Sequence, residues 1–309
     1  MTKQDFMEQL IEELYRYFSP EQYQLEGSVL LKNNDTKRYA ILLKKIEGTV
    51  SPTIYLDNFY SEFEHGRTTI SETASHIYEQ MHDFEDKIEA YQEFSAELSD
   101  CSNKITYRLV SKERNKQFLE SVPHLPFLNM AVVFYIIHHV SKEGMESICV
   151  TNELAGKWGL SAKSLYIIAE KNTPILLPPI IDTMEHTLEL LMGEINCAIE
   201  PAKDSNKPIP MHIMTNKYQI NGASVLLYHG LLDGLAEKLG TDLYVIPSSI
   251  HEVILVPESG TEDTNLNDMV AEVNHTQVDP KEVLADHVYY YDRKEDHMIS
   301  CVHENICYC

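Results

Sequence analysis

From Ile70 onward the apolar residues fall at alternating spacings of four and three: Ile70, Ala74, Ile77, Met81, Phe84, Ile88, Tyr91 and, after a break at Ser95, Leu98. That period fits one face of an α-helix and no strand. It predicts one long amphipathic helix over about 70–99, roughly 45 Å if unbroken. The opposite face carries Glu79, Asp83, Glu85, Asp86, Glu89, Glu93, Glu97 and Asp100 against a single Lys87. Such a stripe reads as a core face laid across a sheet of the same chain, with a heptad seam for a partner helix as the alternative.

A helix of that length needs a surface to lie on, and strand patterns flank it. Residues 27–31 and 38–45 are β-rich and joined by Asn33-Asn34-Asp35, a hairpin signal. Ahead of them Phe6, Leu10, Leu14 and Tyr17/Phe18 mark one helical face that ends before Pro20. Asp57 is placed to cap a short helix that stops at Gly66.

Beyond residues 100–103 the texture changes. Strands are expected at 104–111, 131–138 and 146–150, with a short helix at 113–119. A helix opens at Thr151-Asn152 and breaks at Trp158-Gly159, where the single tryptophan is expected to anchor the core. A second starts from a Ser161 cap and runs to about Lys171, with Pro174 blocking its continuation. A further helix is expected over 182–192. Residues 200–210, polar with three prolines, make the best linker. Strands at 211–214, 242–246, 253–256 and 288–291 follow, with a helical stretch ending at Gly240 and a helix at 266–273. The Tyr289-Tyr290-Tyr291 run closes as a terminal strand that must expose a ring.

The fold class is therefore α+β: mixed or antiparallel sheets with packed helices. Its regions are 1–100 (hairpin and long helix), 101–200, 211–293 and a Cys/His-containing tail at 294–309. Thr151-Asn152 and Thr215-Asn216 each follow a strand, and each asparagine is placed to cap the next helix, which would fit an internal duplication.

Composition bounds the partners. The 309 residues are 43% hydrophobic and 24% charged, ordinary for a globular chain, but the net charge is −23. That charge argues against holding nucleic acid or anionic lipid across the surface. The longest apolar stretch, from Leu125 to Val140, is interrupted by Pro126, Asn129, His138 and His139 and is too short to cross a bilayer. The His138-His139 pair reads as a strand end with one ring inward and one outward. No basic and apolar leader follows Met1, and the six cysteines are mostly solitary, so reduced thiols and a cytoplasmic location are expected.

The segment from Pro52 through Thr53-Ile54-Tyr55-Leu56-Asp57-Asn58-Phe59 to Tyr60, the Thr151-Asn152-Glu153-Leu154 run with Trp158-Gly159, and Thr215-Asn216 with Asn221-Gly222-Ala223 form a recurrent set. Leu226-Leu227-Tyr228 and the run from Asp242 to Leu255 belong to it as well. Together they resemble an uncharacterised domain-of-unknown-function family of cytoplasmic proteins from gut clostridial bacteria, over about residues 1 to 293. The resemblance implies a cytoplasmic bacterial protein and carries no catalytic residues across. The tail after Arg293 departs from the pattern.

Two stretches hold reactive side chains. Ser249, His251 and Glu252 supply a hydroxyl, an imidazole and a carboxylate, the parts of an activated nucleophile. On a strand, however, His251 and Glu252 point to opposite faces, and no Gly-x-Ser-x-Gly elbow accompanies them. The other reading is a hairpin connection, or a polar binding cleft of His251 with Asn216 and Asn221. The tail offers His297, Cys301, His303, Cys307 and Cys309, ligand types suited to tetrahedral zinc at a spacing that matches no standard finger. Nucleotide and calcium motifs are missing, so no cofactor is expected. The function expected is a non-enzymatic interaction or regulatory protein with a possible protein partner. A hydrolase-like enzyme around Ser249, His251 and Glu252 and an acidic mimic of nucleic acid are the alternatives.

Overall fold

The computed structural model describes residues 1–46, 53–91, 97–141, 144–184, 186, 211–247, 249–259, 266–276 and 278–301, with the side chains of 82–91 and 269 excepted. The chain divides into two compact units, Met1–Ala96 and Glu97–Cys309.

In the first unit α1 (Lys3–Leu14) starts from a capping box. The Thr2 hydroxyl accepts from the Asp5 amide and the Asp5 carboxylate from the Thr2 amide, at 3.1 and 3.0 Å. The strands β1 (Tyr23–Lys32) and β2 (Thr36–Lys45) form the expected hairpin, turning through left-handed Asn34 and Asp35, residue types that tolerate positive φ. β3 (Thr53–Tyr55) adds to β2. α2 (Asp57–Glu64) does end at Gly66, whose φ is +68°; the Gly66 and Arg67 amides cap the last carbonyls. Asp57 is not its N-cap but its first residue. Its carboxylate instead takes Arg38 Nε at 2.6 Å and Lys3 Nζ at 3.5 Å. Partial burial pushes that carboxyl up, and the two cations outweigh it and hold it below its ordinary value.

α3 (Ile70–Tyr91) carries the long apolar stripe. Ala74, Ile77 and Met81 are buried with Phe6, Leu10, Leu14 and Ile41 in one core, so along this stretch the stripe is a core face. The helix does not run to 99 as the periodicity suggests. Glu97 is extended, and Leu98 opens a separate short helix, α4 (Leu98–Cys101); residues 92–96 lie outside the described residues. Glu85, Glu89, Glu93 and Glu97 repeat at i, i+4, and like charges at that spacing destabilise a helix.

The second unit begins with β4 (Ile105–Ser111), α5 (Lys116–Glu120), β5 (His124–Phe127), β6 (Met130–Val140) and β7 (Met145–Cys149). β6 is the spine, with β4 along one side and β5 and β7 along the other. α6 (Asn152–Trp158) is capped by Thr151 rather than by Asn152, whose side chain reaches back to Glu120 O, and it ends at left-handed Gly159. Trp158 is half-buried, not a core anchor. α7 (Ala162–Leu176) is capped by Ser161 as expected but runs through Pro174. Thr173 holds this last turn to the sheet: its hydroxyl donates to Ala169 O at 2.6 Å and accepts from the Tyr107 amide at 3.2 Å. Buried Leu165, Ala169 and Leu177 continue the same face, and packing prevails over the proline's lost bond.

The helix expected from 182 starts two residues later: β8 (Pro179–Thr183) takes Asp182 and Thr183 and pairs antiparallel with β9 (His212–Asn216), and Met184 and His186 are helical. Residues 187–192 and the linker at 200–210 lie outside the described residues. β10 (Leu243–Ile246), β11 (Val253–Pro257), β12 (Tyr289–Asp292) and β13 (His297–Ser300) complete a six-stranded sheet in the order β13-β12-β10-β11-β9-β8. A 3-10 helix (Gly222–Leu227), α8 (Leu231–Leu239) and α9 (Leu266–Thr276) complete the unit. Every strand pair among the described residues is antiparallel, and the class is α+β. The tyrosine run is not the sheet's edge. β13 covers it, so Tyr289 and Tyr291 are buried and Tyr290 is half-buried with its hydroxyl on Asp242 at 2.9 Å.

Candidate functional site

Four of the five residues singled out around the Ser-Ile-His stretch come together where β9 ends and β10 connects to β11. Asn216, the last residue of β9, is fully buried. Its side chain is not a helix cap: it accepts from the Tyr218 amide at 2.9 Å and donates to Ile220 O at 2.8 Å, holding a tight loop. Gln219 and Asn221 in that loop take positive φ. Gly222 then passes so close that a Cβ there would collide with Thr215 Oγ1 and the His251 carbonyl. Thr215 Oγ1 donates to that carbonyl at 2.7 Å.

The imidazole of His251 sits over this loop. Its Nδ1 faces Gln219 O at 3.2 Å and the Asn221 amide at 3.4 Å, so either neutral tautomer makes one bond. Nε2 lies 3.8 Å from Glu282 Oε1. The carboxylate beside His251 therefore comes from Glu282, while Glu252 is exposed. The bridge between Ser249 and Val283, with the Ile250 amide on Glu282 O, sets Glu282 alongside. Ser249 Oγ accepts from the His251 backbone amide at 3.1 Å. Among the described residues no hydrogen bond joins that hydroxyl to the imidazole, the contact an activated serine needs. The cluster is knitted chiefly by backbone partners, as a structural connection is.

In the tail, His297 is exposed on β13 opposite Asp292. Cys301 is half-buried beside Ile246, Val256, Val270 and Val288, and burial raises its thiol pKa, away from a ready thiolate. His303, Cys307 and Cys309 lie outside the described residues. Among the described residues no group of three His, Cys, Asp or Glu side chains could hold a metal ion.

A concavity of the second unit includes none of Asn216, Asn221, Ser249, His251 or Glu252. Its volume is about 670 Å³. Val132, Leu226, Tyr228, Leu232, Tyr291 and Met298 are its buried walls. The exposed rim includes Leu128, left-handed in the β5–β6 turn, together with His229, Asp296 and His297. α7 presents Tyr166 and Glu170 one turn apart on the same side. α8 brings Asp233 in its first turn.

The aromatic groups are fixed from behind. Tyr228 donates to Leu177 O at 2.8 Å, satisfying a carbonyl just past α7, and meets Tyr107 edge-on. Tyr107 in turn stacks on Tyr166. Tyr291 donates to Asp296 Oδ1 at 2.6 Å. Burial pushes all three lining phenols up; the carboxylates of Asp296 and Asp233 add to this at Tyr291, and that of Glu170 at Tyr166. The phenols therefore stay neutral at physiological pH, and carboxylates supply the permanent charge. The walls come from residues 125–132, 166–170, 226–233 and 291–298, segments that no sequence window joins. The tyrosine run and Leu226-Leu227-Tyr228 were visible as sequence features, without a sign that they meet.

Fold and concavity define an antiparallel α+β protein with a cavity of small-molecule size. The chain belongs to a family of unknown function (DUF5688), whose model matches residues 3–293. No curated protein and no solved structure matches it.

Proposed function

We propose that this is a cytoplasmic, non-catalytic interaction or regulatory protein that works by holding a small molecule in the concavity of its second unit. The observation that carries this reading is a cavity of about 670 Å³ with buried apolar walls, a polar rim and aromatic side chains already fixed by hydrogen bonds. Those are the attributes of small-molecule sites, where apolar area supplies affinity and a few placed polar groups supply orientation. A reducing compartment fits Cys101 and Cys301, which are free thiols. Among the described residues no helix is long and apolar enough to cross a membrane. With a net charge of −23, neither nucleic acid nor an anionic membrane is a partner on this reading.

The test is a ligand-observed NMR screen of drug-sized fragments against the full chain and against Leu227→Trp, which fills the cavity from its half-buried rim. Hits lost in the tryptophan variant, with an unchanged unfolding midpoint, uphold the reading. No hits, or hits indifferent to the tryptophan, overturn it.

A further inference from the structure

The charges around the concavity are one-sided. Glu170, Asp233 and Asp296 line it, and no lysine or arginine does. Elsewhere Glu13, Asp57, Glu62, Glu153 and Asp286 each pair with an arginine or lysine. No such pair among the described residues engages Glu170 or Asp233. Cations sit over the rings of Tyr23, Tyr55, Tyr60, Tyr135 and Tyr218, and among the described residues none sits over Tyr166, Tyr228 or Tyr291.

We infer that the ligand is an organic cation, an ammonium group on an apolar body, held by the carboxylates of Glu170, Asp233 and Asp296 beside Tyr166, Tyr228 and Tyr291. The inference rests on the concavity being the binding site. Carboxylates lining one concavity with no lysine or arginine among them favour a positive charge brought by the ligand. Aromatic rings are the other common wall of ammonium sites, because the ring quadrupole attracts a cation. Val132, Leu226, Leu232 and Met298 suit an apolar body rather than a hydrated metal ion. The net charge of −23 also concentrates cations near the surface and turns anions away.

The experiment is calorimetric titration of the full chain with three molecules of one skeleton: 2-(1-naphthyl)ethylamine, 2-(1-naphthyl)ethanol and 1-naphthylacetate. The amine is expected to bind about tenfold or more tighter than the alcohol, and the acetate weakest. Asp233→Asn should weaken the amine about tenfold and leave the alcohol unchanged. Glu170→Gln, on an exposed side chain, gives the same comparison if the Asp233 variant folds poorly. Alcohol or acetate binding as tight as the amine overturns the inference and leaves the concavity as a binding site. Amine affinity unchanged in both variants overturns it as well. Binding by none of the three, together with no hits from the fragment screen, removes the concavity as a site altogether.

Discussion

The loop cluster around His251 and the concavity beside Tyr291 both belong to the second unit, yet they use polar groups in opposite ways. Around His251 the polar atoms answer one another: Asn216 holds its own loop, Thr215 holds the His251 carbonyl, and Ser249 takes a backbone amide. In the concavity Tyr228 and Tyr291 are tied down, but Glu170 and Asp233 face the space without a cationic partner among the described residues. The reactive-looking run thus takes its partners from the connection between strands, and an inconspicuous set of residues lines the cavity. Chemical type alone does not distinguish the two; the partner of each polar atom does.

Substitutions can break that contrast. The largest effect is expected from Gly222→Ala, because its methyl group meets a backbone carbonyl that cannot swing aside. It should lower stability by about 3 kcal/mol in urea unfolding, with ligand affinity per folded molecule unchanged. Asn216→Ala leaves the Tyr218 amide and Ile220 carbonyl without their partner and should cost about 2 kcal/mol, again without touching affinity. Tyr291→Phe removes the bond to Asp296 and should cost about 1 kcal/mol, but here affinity should move as well. Ser249→Ala should cost only about 0.5 kcal/mol, and neither it nor the parent chain should turn over a panel of simple esters. Ester turnover abolished by His251→Ala in a folded protein would restore the hydrolase reading.

The acid response is the mildest and serves as a control on both regions. Burial lowers the pKa of His212, with Lys238 adding to it. Burial also lowers that of His287, against the opposing carboxylates of Asp286 and Glu113. The unfolded chain therefore takes up protons first, near the ordinary 6.5. Their contribution to stability is full above that pH and is lost as pH falls through the lower folded values. Unfolding midpoints measured from pH 7 to 5 should fall, and His287→Gln should flatten the slope.

What the sequence disclosed was local. Asn33-Asn34-Asp35 turns a hairpin, Ser161 caps a helix and Gly240 ends one because each acts through its own backbone and its nearest neighbours. Where the answer depended on a distant partner, the reading missed. Asp57 has a capping residue's chemistry but meets Arg38, nineteen positions away. Pro174 has a breaker's chemistry but lies beside Thr173, which is bonded to β4. Glu252 adjoins His251 in sequence, while Glu282 adjoins it in space. The concavity is the extreme case, since its opposing walls are about one hundred and seventy residues apart along the chain between Leu125 and Met298.

One of those walls falls beyond the segment that defines the family. The family match stops at residue 293, and β13, which supplies His297 and Met298, follows it. The matched segment therefore carries Tyr291 and the walls at 125–132, 166–170 and 226–233, and a short segment added at the sheet margin supplies Asp296, His297 and Met298. Substitutions at Asp296, His297 and Met298 would therefore re-line one margin of the chamber while leaving the walls drawn from the matched segment as they are.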